Sequence, residues 1–299
     1  MKNYLKQLYR KLINDVTGKV HETVTVSASG MLSEQAGQLI LKNQYRSIGI
    51  NDVAGYRFED IGFRKYSQND EDGILLFIFS VIGTVNKTAV EVCASDGIQC
   101  NTANLIINHG WQALLFDGNA RAVEKGTAFY RSHPGTFTLP PRFVHAWITK
   151  DNINNLIAGN GISGEIDLLS IDMDGVDYWI WEAIGCISPR VVVAEVQCIW
   201  GSGAAVTVPY ADNFKTEFVN GFGIYSGGSI NAFINLARKK DYRLIGFEKY
   251  GFNAFFMRND VGSDAFPEAN TDNYESIPFV KWAKDNFLHL VKDKPWQQV

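Results

Sequence analysis

Three aspartates lie close together at the end of a short apolar run. The run IDLLSI is followed by Asp172, Asp174 and Asp177 within the stretch DMDGVD. Burying several carboxylates together is costly unless a cation or a proton-transfer role offsets the cost. Asp172 and Asp174 are therefore candidate catalytic residues, and Glu195, which closes a second apolar run, is expected to join them. Asp177 is explained as well by capping the helix that follows it.

Two kinds of chemistry would suit such a cluster. Two or three carboxylates fit Mg²⁺ or another oxygen-seeking cation, which would lower the pKa of a coordinated hydroxyl. Alternatively, a like-charged neighbour raises the pKa of one carboxyl and makes it a better base. The sequence supplies carboxylates but no clearly organised ligand set, and no histidine spacing supports zinc. We therefore leave the metal unassigned and favour the route without one.

A second constellation lies at the ends of two earlier apolar runs. Gly97 ends the turn EVCASDG, and Asp117 follows twenty residues later at the end of ALLFD. Open α/β sheets bind ligands at the carboxyl edge, where an acid on the second strand accepts hydrogen bonds from a ribose. This spacing favours a nucleoside site. The turn has only one glycine and Asp96 would repel phosphates, so a cationic methyl donor such as S-adenosylmethionine is favoured over a dinucleotide.

Alternating strands and helices must position these residues. Continuous apolar runs separated by helical segments predict a parallel sheet that is covered on both faces, which is a doubly wound α/β fold. A helix and two further strands, SINAFINLARKK, YRLIGFE and NAFFMRN, then make the last strand antiparallel to its neighbours. The predicted parallel strands are AVEVC (89–93), ALLFD (113–117), RFVHAWI (142–148), IDLLSI (166–171) and VVVAEV (191–196).

EVCASDG and LLFDG resemble the first two motifs of the class I S-adenosylmethionine-dependent methyltransferases. Glu91 and Gly97 match the first motif, usually E-x-G-x-G-x-G, whereas Cys93 and Ser95 stand where glycines are common. The resemblance covers about residues 63 to 260. It implies a Rossmann-like methyltransferase fold with a seven-stranded mixed sheet, strand order 3-2-1-4-5-7-6, in which strand 7 is antiparallel.

The resemblance also implies a binding site for the donor S-adenosylmethionine. Two assignments have structural alternatives: Ser67 and Asp70 would equally cap the helix DEDGILLFIFSVIG, and Trp147 would equally be a core residue. The residues that the resemblance assigns to cofactor binding are Gln68, Glu91, Cys93, Ala94, Ser95, Gly97, Asp117, Gly118, Ala146, Trp147 and Asp172.

A narrower resemblance is to the FkbM-type methyltransferases associated with polysaccharide biosynthesis. It is carried by YSQNDEDGIL, CNTANLIINHGW, IDLLSIDMDGVDYW, SPRVVVAEV and SGGSINAFINLARKKDYRLIGFEKYGFNAFF. It implies O-methylation of a small-molecule acceptor, either a sugar or another hydroxylated compound. One alternative is a catalytically silent donor-fold scaffold, which Cys93 and Ser95 favour. Another is a nucleotide-dependent oxidoreductase, which the absence of GxGxxG disfavours.

The chain is expected to divide into a helical N-terminal extension (1–62), a methyltransferase domain (63–265) and a C-terminal tail (266–299). An irregular insert at 197–228 is too long for a simple connection and is expected to cover the acceptor site. Aromatic faces suit sugar rings. Its expected acceptor contacts are Trp200, Tyr210 and Tyr225.

Composition excludes some classes of function. The formal net charge of −4 over 299 residues argues against general nucleic-acid binding. No apolar run has the roughly 18 residues of a membrane span, and the N-terminus has no secretory apolar region. The four cysteines form no CxxC pair, so a cytoplasmic protein with reduced thiols is expected. A basic amphipathic helix at 4–13 is interpreted as packing on its own domain or in a homo-oligomer.

Overall fold

The computed structural model describes residues 34–299, except for the side chain of Asn51. The amphipathic helix predicted at 4–13 lies outside the described residues. The chain forms two compact units, Met1–Ser47 and Ile48–Val299. A helix over 34–46, α1, lies in the first unit. Every strand of the described residues and the candidate site lie in the second unit.

Seven strands of the second unit form one mixed sheet. Its order is β3-β2-β1-β4-β5-β10-β9, and β10 is antiparallel to both of its neighbours. Because β9 and β10 are the sixth and seventh strands of this sheet, the predicted order 3-2-1-4-5-7-6 and the α/β fold class are confirmed. In chain order the strands are β1 (Thr88–Val92), β2 (Gln112–Asp117), β3 (Arg142–His145), β4 (Gly164–Ile171), β5 (Ile187–Glu195), β6 (Val206–Thr207), β7 (Glu217–Val219), β8 (Phe222–Tyr225), β9 (Tyr242–Phe247), β10 (Asn253–Arg258) and β11 (Gln297–Gln298).

Helices follow most strands of the sheet and cover both of its faces. A short 3₁₀ helix at Cys198–Trp200 begins the insert. The helices of the second unit are α2 (Ile50–Val53), α3 (Phe58–Ile61), α4 (Glu71–Val81), α5 (Ala103–His109), α6 (Ala120–Ser132), α7 (Ile153–Gly159), α8 (Asp177–Ala183), α9 (Ile230–Lys239), α10 (Asp272–Glu275) and α11 (Pro278–Val291).

The core lies between the sheet and these helices. β4 and β5 occupy the middle of the sheet, and their apolar residues are almost wholly buried. Trp181 on α8 is 1% exposed and packs against the rings of Phe233 and Phe256. Trp179 is also buried, so both tryptophans fill the core.

Two expectations about the end of the third strand are wrong. The third strand stops at His145 rather than at residue 148, and Trp147 beyond it is 64% exposed. The core alternative for Trp147 therefore fails. The segment 266–299, predicted as a C-terminal tail, contains α11, which buries Val280, Ala283 and Val291. The domain boundaries at 62 and 265 stay predictions.

The insert is joined to the last residues of the described chain. Gln297–Gln298 pair with Val206–Thr207 in a small antiparallel sheet, and the Trp296 ring packs on the ring of Trp200. Residues 217–225 add a separate two-stranded hairpin, β7–β8. Among residues 34–299, no helix combines the length and the apolar character that crossing a bilayer requires.

Candidate active site at the carboxyl edge of the sheet

A cavity of about 1060 Å³ opens at the carboxyl ends of β1, β2 and β4. Two predicted site residues, Gly97 and Glu195, do not line it, although Glu195 contacts a residue that does. The predicted residues that line the cavity are Gln68, Glu91, Cys93, Ala94, Ser95, Asp117, Gly118, Ala146, Trp147, Asp172 and Asp174. Most of the predicted site residues thus lie in the cavity wall, and the ligand contacts themselves stay predictions.

The loop after β1 has the backbone conformation that glycines would give it. Cys93 has φ of 63° and Ser95 has φ of 53°, close to the 66° of Gly97. A left-handed conformation costs a non-glycine residue about 1–2 kcal/mol, and such strain is concentrated at functional sites. The two departures from the glycine-rich motif therefore leave its backbone path unchanged.

Glu91 and Gly97 hold the loop in place. The buried Glu91 carboxylate accepts hydrogen bonds from the backbone N–H groups of Asn101 (2.9 Å) and Thr102 (3.0 Å). It thereby fixes the turn that leads into α5. The Gly97 carbonyl accepts a hydrogen bond from the Tyr130 hydroxyl, and a Cβ at Gly97 would lie 3.0 Å from the Phe143 ring. Close packing on α6 and β3 thus requires a glycine there.

Asp117 is held at the end of β2 by two backbone N–H groups. Its Oδ2 accepts from Ser95 at 2.8 Å, and its Oδ1 accepts from Asn119 at 2.7 Å. A carboxylate has about four acceptor positions, so each oxygen can still accept a hydrogen bond from a ligand. Asp96 does not line the cavity. Its carboxylate forms an ion pair with Lys125 Nζ at 2.5 Å, and this pair lowers the pKa of the Asp96 carboxyl. The expected repulsion of a phosphate by Asp96 is therefore not supported.

The Trp147 side chain forms another part of the cavity wall. Its ring covers Gly118, where a Cβ would lie 3.0 Å from Cε3 of the indole. The indole Nε1 donates a hydrogen bond to the Asp212 carbonyl at 2.8 Å, which ties the ring to the insert. An exposed aromatic face held in this way is suited to stack on a planar ligand.

The acidic cluster forms as the sequence predicts. Carboxylate oxygens of Asp172, Asp174 and Glu195 all lie within 4.8 Å of one another. The side chains of Asp172 and Glu195 share a hydrogen bond. Burial raises the pKa of both groups, and the neighbouring carboxyls raise it further, while Asp174 is exposed. The group as a whole needs a proton or a cation.

Asp177 does not cap α8. It is the first residue of that helix, and its buried carboxylate accepts from the backbone N–H groups of Met173 (2.6 Å) and Gly175 (3.0 Å). These bonds shape the loop that carries Asp174, whose φ is 53°. Asp177 thus organises the cluster, although it does not line the cavity.

Sequence reasoning missed Asn253. This residue begins β10 and is paired with Glu195 on the adjacent strand β5. Its Nδ2 donates a hydrogen bond to Glu71 Oε1 at 2.8 Å, and its buried Oδ1 has no partner. Asn253 also lines the cavity. A polar residue at the start of an apolar strand was the available signal, but only the strand register places it beside Glu195.

The turn that precedes α4 also differs from the expected cap. Asp72, rather than Asp70, is the acid paired with Ser67. The Asp72 N–H donates to Ser67 Oγ at 3.2 Å, and Asp72 Oδ2 accepts from the Ser67 N–H at 2.9 Å. The same oxygen accepts from the N–H groups of Lys65 and Tyr66. This turn places Gln68 in the cavity wall.

The insert lies at the carboxyl edge, as expected, but other residues of it face the cavity. Phe214 lines the cavity with its ring against Gly175, where a Cβ would lie 2.7 Å from the ring. Trp200 and Tyr225, two of the expected acceptor contacts, instead pack on Trp296 and do not line it. The Tyr210 hydroxyl accepts a hydrogen bond from the Lys150 backbone N–H and donates one to the Asp212 carboxylate. Tyr210 does not line the cavity either.

No family model and no curated protein matches this chain. Among solved structures, a S-adenosylmethionine-dependent methyltransferase from Clostridium acetobutylicum ATCC 824 is 12% identical with a TM-score of 0.37, covering 58% of this chain and 85% of that one. The CcbJ methyltransferase from Streptomyces caelestis is 10% identical with a TM-score of 0.40, covering 70% and 98%. Spermidine synthase from Thermotoga maritima is 14% identical with a TM-score of 0.36, covering 68% and 69%. These likenesses are weak, so the fold class is established by the strand order itself.

Proposed function

We propose that this protein is a S-adenosylmethionine-dependent methyltransferase that methylates a hydroxyl of a small acceptor. One observation carries the proposal. A single cavity brings together the left-handed loop after β1, the carboxylate that ends β2 and, after β4, Asp172 and Asp174 of the acidic cluster. A nucleoside donor and an acidic reaction centre would thus share one space.

The residues present fit the donor. Asp117 is oriented by two backbone N–H groups and keeps acceptor positions for ribose hydroxyls. The exposed Trp147 ring offers a flat surface for adenine, and the carboxylates are compatible with the positive sulfonium and ammonium groups of the donor. When bound, the donor supplies an electrophilic methyl group.

The reaction is a displacement at carbon. The acceptor oxygen forms a new bond to the methyl carbon while the S–CH₃ bond breaks. The electron pair of the broken bond stays on sulfur. Asp172 takes the hydroxyl proton, so that a neutral ether leaves the site. Alignment of the acceptor oxygen, carbon and sulfur supplies much of the acceleration, because positioning removes an entropic cost.

The acceptor is proposed to enter beside the insert. Phe214, Ala211 and Asp212 line this side of the cavity and combine an aromatic face with polar groups, a set that suits a sugar ring. This placement agrees with the FkbM-type resemblance, which stays a prediction, as does the sugar itself. A cavity of about 1060 Å³ has room for both donor and acceptor.

Calorimetric titration with S-adenosylhomocysteine tests the proposal. We expect saturable binding to the wild-type chain, weakened about 10- to 100-fold in Asp117→Ala because charge-assisted hydrogen bonds to the ribose are lost. Asp96→Ala is the matched control, since it removes an acid from the neighbouring loop after β1, and that acid pairs with Lys125 and does not line the cavity. Equal affinity in the Asp117 variant and the wild type would refute the donor site.

A catalytically silent scaffold is the second candidate. Cys93 and Ser95, which favour it in the sequence, both hold the left-handed backbone that glycines would supply. The backbone conformation of this loop therefore supports the methyltransferase proposal over the scaffold. A chain that binds no S-adenosylhomocysteine at millimolar concentration would restore the scaffold interpretation.

A further inference from the structure

We propose that the acidic cluster and Asn253 together form a binding site for one divalent cation. The ligands would be carboxylate oxygens of Asp172, Asp174 and Glu195 and the Oδ1 atom of Asn253. The use of this cation in methyl transfer rests on the proposed function, whereas its binding does not. The proposal reverses the expectation from the sequence, which favours a site without metal.

The spacing of the carboxylates fits a cation. Ligand oxygens on opposite sides of a cation lie about 4.2–5.2 Å apart, given metal–oxygen distances of about 2.1–2.6 Å. One oxygen from each of Asp172, Asp174 and Glu195 lies within 4.8 Å of the other two. Three carboxylates can therefore reach one ion without a change in the strands that carry them.

Asn253 is the independent observation that points to a ligand. It is 5% exposed, lines the same cavity as Asp172 and Asp174, and its Oδ1 has no hydrogen-bond partner. Buried polar atoms are nearly always satisfied, so an unsatisfied acceptor needs an explanation. A bound cation would supply the missing partner.

Glu71 fixes which end of the Asn253 amide is free. The Glu71 carboxylate is buried and accepts from Asn253 Nδ2 at 2.8 Å and from the Asn69 N–H at 2.9 Å. A carboxylate in this role is an acceptor, so the NH₂ end of the amide must face it. Oδ1 is therefore left as the free ligand atom, on the strand position next to Glu195.

The charge of the cavity also favours a cation. Arg121 is the one lysine or arginine among the described residues that line the cavity, and it lies on α6, beyond β2 rather than at β4 or β5. Four oxygen ligands, three of them anionic, select a hard ion such as Mg²⁺, Mn²⁺ or Ca²⁺. Such an ion would hold an acceptor hydroxyl by its oxygen and lower the pKa of that hydroxyl.

Titration of the full chain with Mn²⁺, without donor or acceptor, tests the site. Electron paramagnetic resonance of free Mn²⁺ should show one saturable site. We expect Asp174→Asn and Asn253→Ala each to weaken binding by about 10-fold or more, because the first removes the negative charge of a ligand and the second removes a ligand atom. Asp212→Asn is the matched control: it removes a carboxylate from the same cavity but outside the cluster, and should change affinity by less than about 2-fold.

The outcomes separate the possibilities. The site is overturned if millimolar Mn²⁺ shows no saturable binding. It is also overturned if Asp212→Asn weakens Mn²⁺ binding as much as Asp174→Asn and Asn253→Ala do. Weakening by Asp174→Asn but not by Asn253→Ala overturns the four-ligand assignment, and circular dichroism of the Asn253 variant shows whether it is folded. Binding of S-adenosylhomocysteine without Mn²⁺ binding refutes this inference alone. Binding of Mn²⁺ without S-adenosylhomocysteine binding refutes the proposed function instead.

Discussion

Three residues near the cavity have a left-handed backbone conformation, which is unfavourable for a residue other than glycine. Cys93, Ser95 and Asp174 all have positive φ values without being glycine. Each lies in a loop directly after β1 or β4, where the backbone must turn sharply to leave the sheet edge open. Strain of this kind persists when the surrounding structure enforces it, as the hydrogen bonds of Asp117 and Asp177 do here.

Replacing Ser95 tests this strain directly. We expect Ser95→Gly to raise the free energy of unfolding by about 0.5–1 kcal/mol, because relief of a left-handed conformation outweighs the added freedom of glycine in the unfolded chain. Urea denaturation measures the change. Ser95→Ala is the control, since it removes the hydroxyl and keeps the strain. A gain of equal size in both variants would show that the hydroxyl, rather than φ, is responsible.

The reaction itself is tested at Asp172. We expect Asp172→Asn to keep the fold and the affinity for S-adenosylhomocysteine, while turnover on the true acceptor falls by about 10²-fold or more, because the proton acceptor is lost. Single-turnover kinetics with calorimetry in parallel makes the measurement. A variant with full turnover would show that Asp172 is structural and that another group takes the proton.

Residues at strand ends are the part of the site that the sequence predicts well. Asp117, Asp172 and Glu195 each close an apolar run, and parallel strands bring such ends to the same edge. Asn253 could not be found in this way, because it begins an antiparallel strand and reaches that edge from the opposite direction. Trp147 was ambiguous for a related reason: the alternation rule holds only inside a strand, and β3 ends two residues earlier.

Elements approach one another closely where glycines allow it. Gly126 lies on α6, and a Cβ there would come within 2.3 Å of both the Asp96 carbonyl oxygen and the Phe143 ring. The helix can therefore rest directly on the loop after β1, which borders the cavity. A larger residue would push α6 away from this loop and from β3.

A pair of glycine substitutions tests this contact. We expect Gly126→Ala to lower the free energy of unfolding by about 1–3 kcal/mol or more, because the added methyl overlaps backbone and ring atoms. Gly159→Ala on α7 is the matched control, since its Cβ meets nothing within 4 Å, and it should raise stability by about 0.5–1 kcal/mol. If thermal denaturation shows the same change in stability for both variants, α6 accommodates the added methyl group without strain.

The length of an element is harder to predict than its order. The alternation of apolar runs and helices predicts a parallel sheet covered on both faces, and the methyltransferase resemblance implies the strand order. β3, however, ends at His145, and two residues later the Trp147 indole donates a hydrogen bond to the Asp212 carbonyl in a segment distant in sequence. The paired strands β6 and β11 are likewise only two residues each and leave no periodic pattern.

For the whole molecule, buried carboxyls make stability depend on pH. Burial raises the pKa of Asp72 to about 6 and that of Glu248 to about 7, against ordinary values near 4. In that interval the folded chain binds more protons than the unfolded chain. The free energy of unfolding should therefore fall as pH rises from about 4 to 7.

Urea midpoints at pH 5 and pH 7.5 measure this effect. We expect the wild type to lose stability between these values, on the order of 2 kcal/mol for Asp72 alone. Asp72→Asn should show a smaller loss, because its amide does not titrate and still offers one oxygen to the surrounding N–H groups. Parallel curves for the two proteins would assign the pH dependence to other groups.

The pairing of the insert with residues 296–299 has a consequence for how the molecule is made. β6 cannot find its partner β11 until about ninety further residues have been synthesised, although the strands of the main sheet are complete by Arg258. At ribosomal rates of about 5–20 residues per second, the main sheet would exist for seconds before β6 of the insert pairs with β11. A nascent chain would therefore pass through a stage with an assembled sheet edge and an unfinished cavity wall. The capacity to hold a ligand would therefore be acquired only after Gln297 and Gln298 have been synthesised and have paired with the insert.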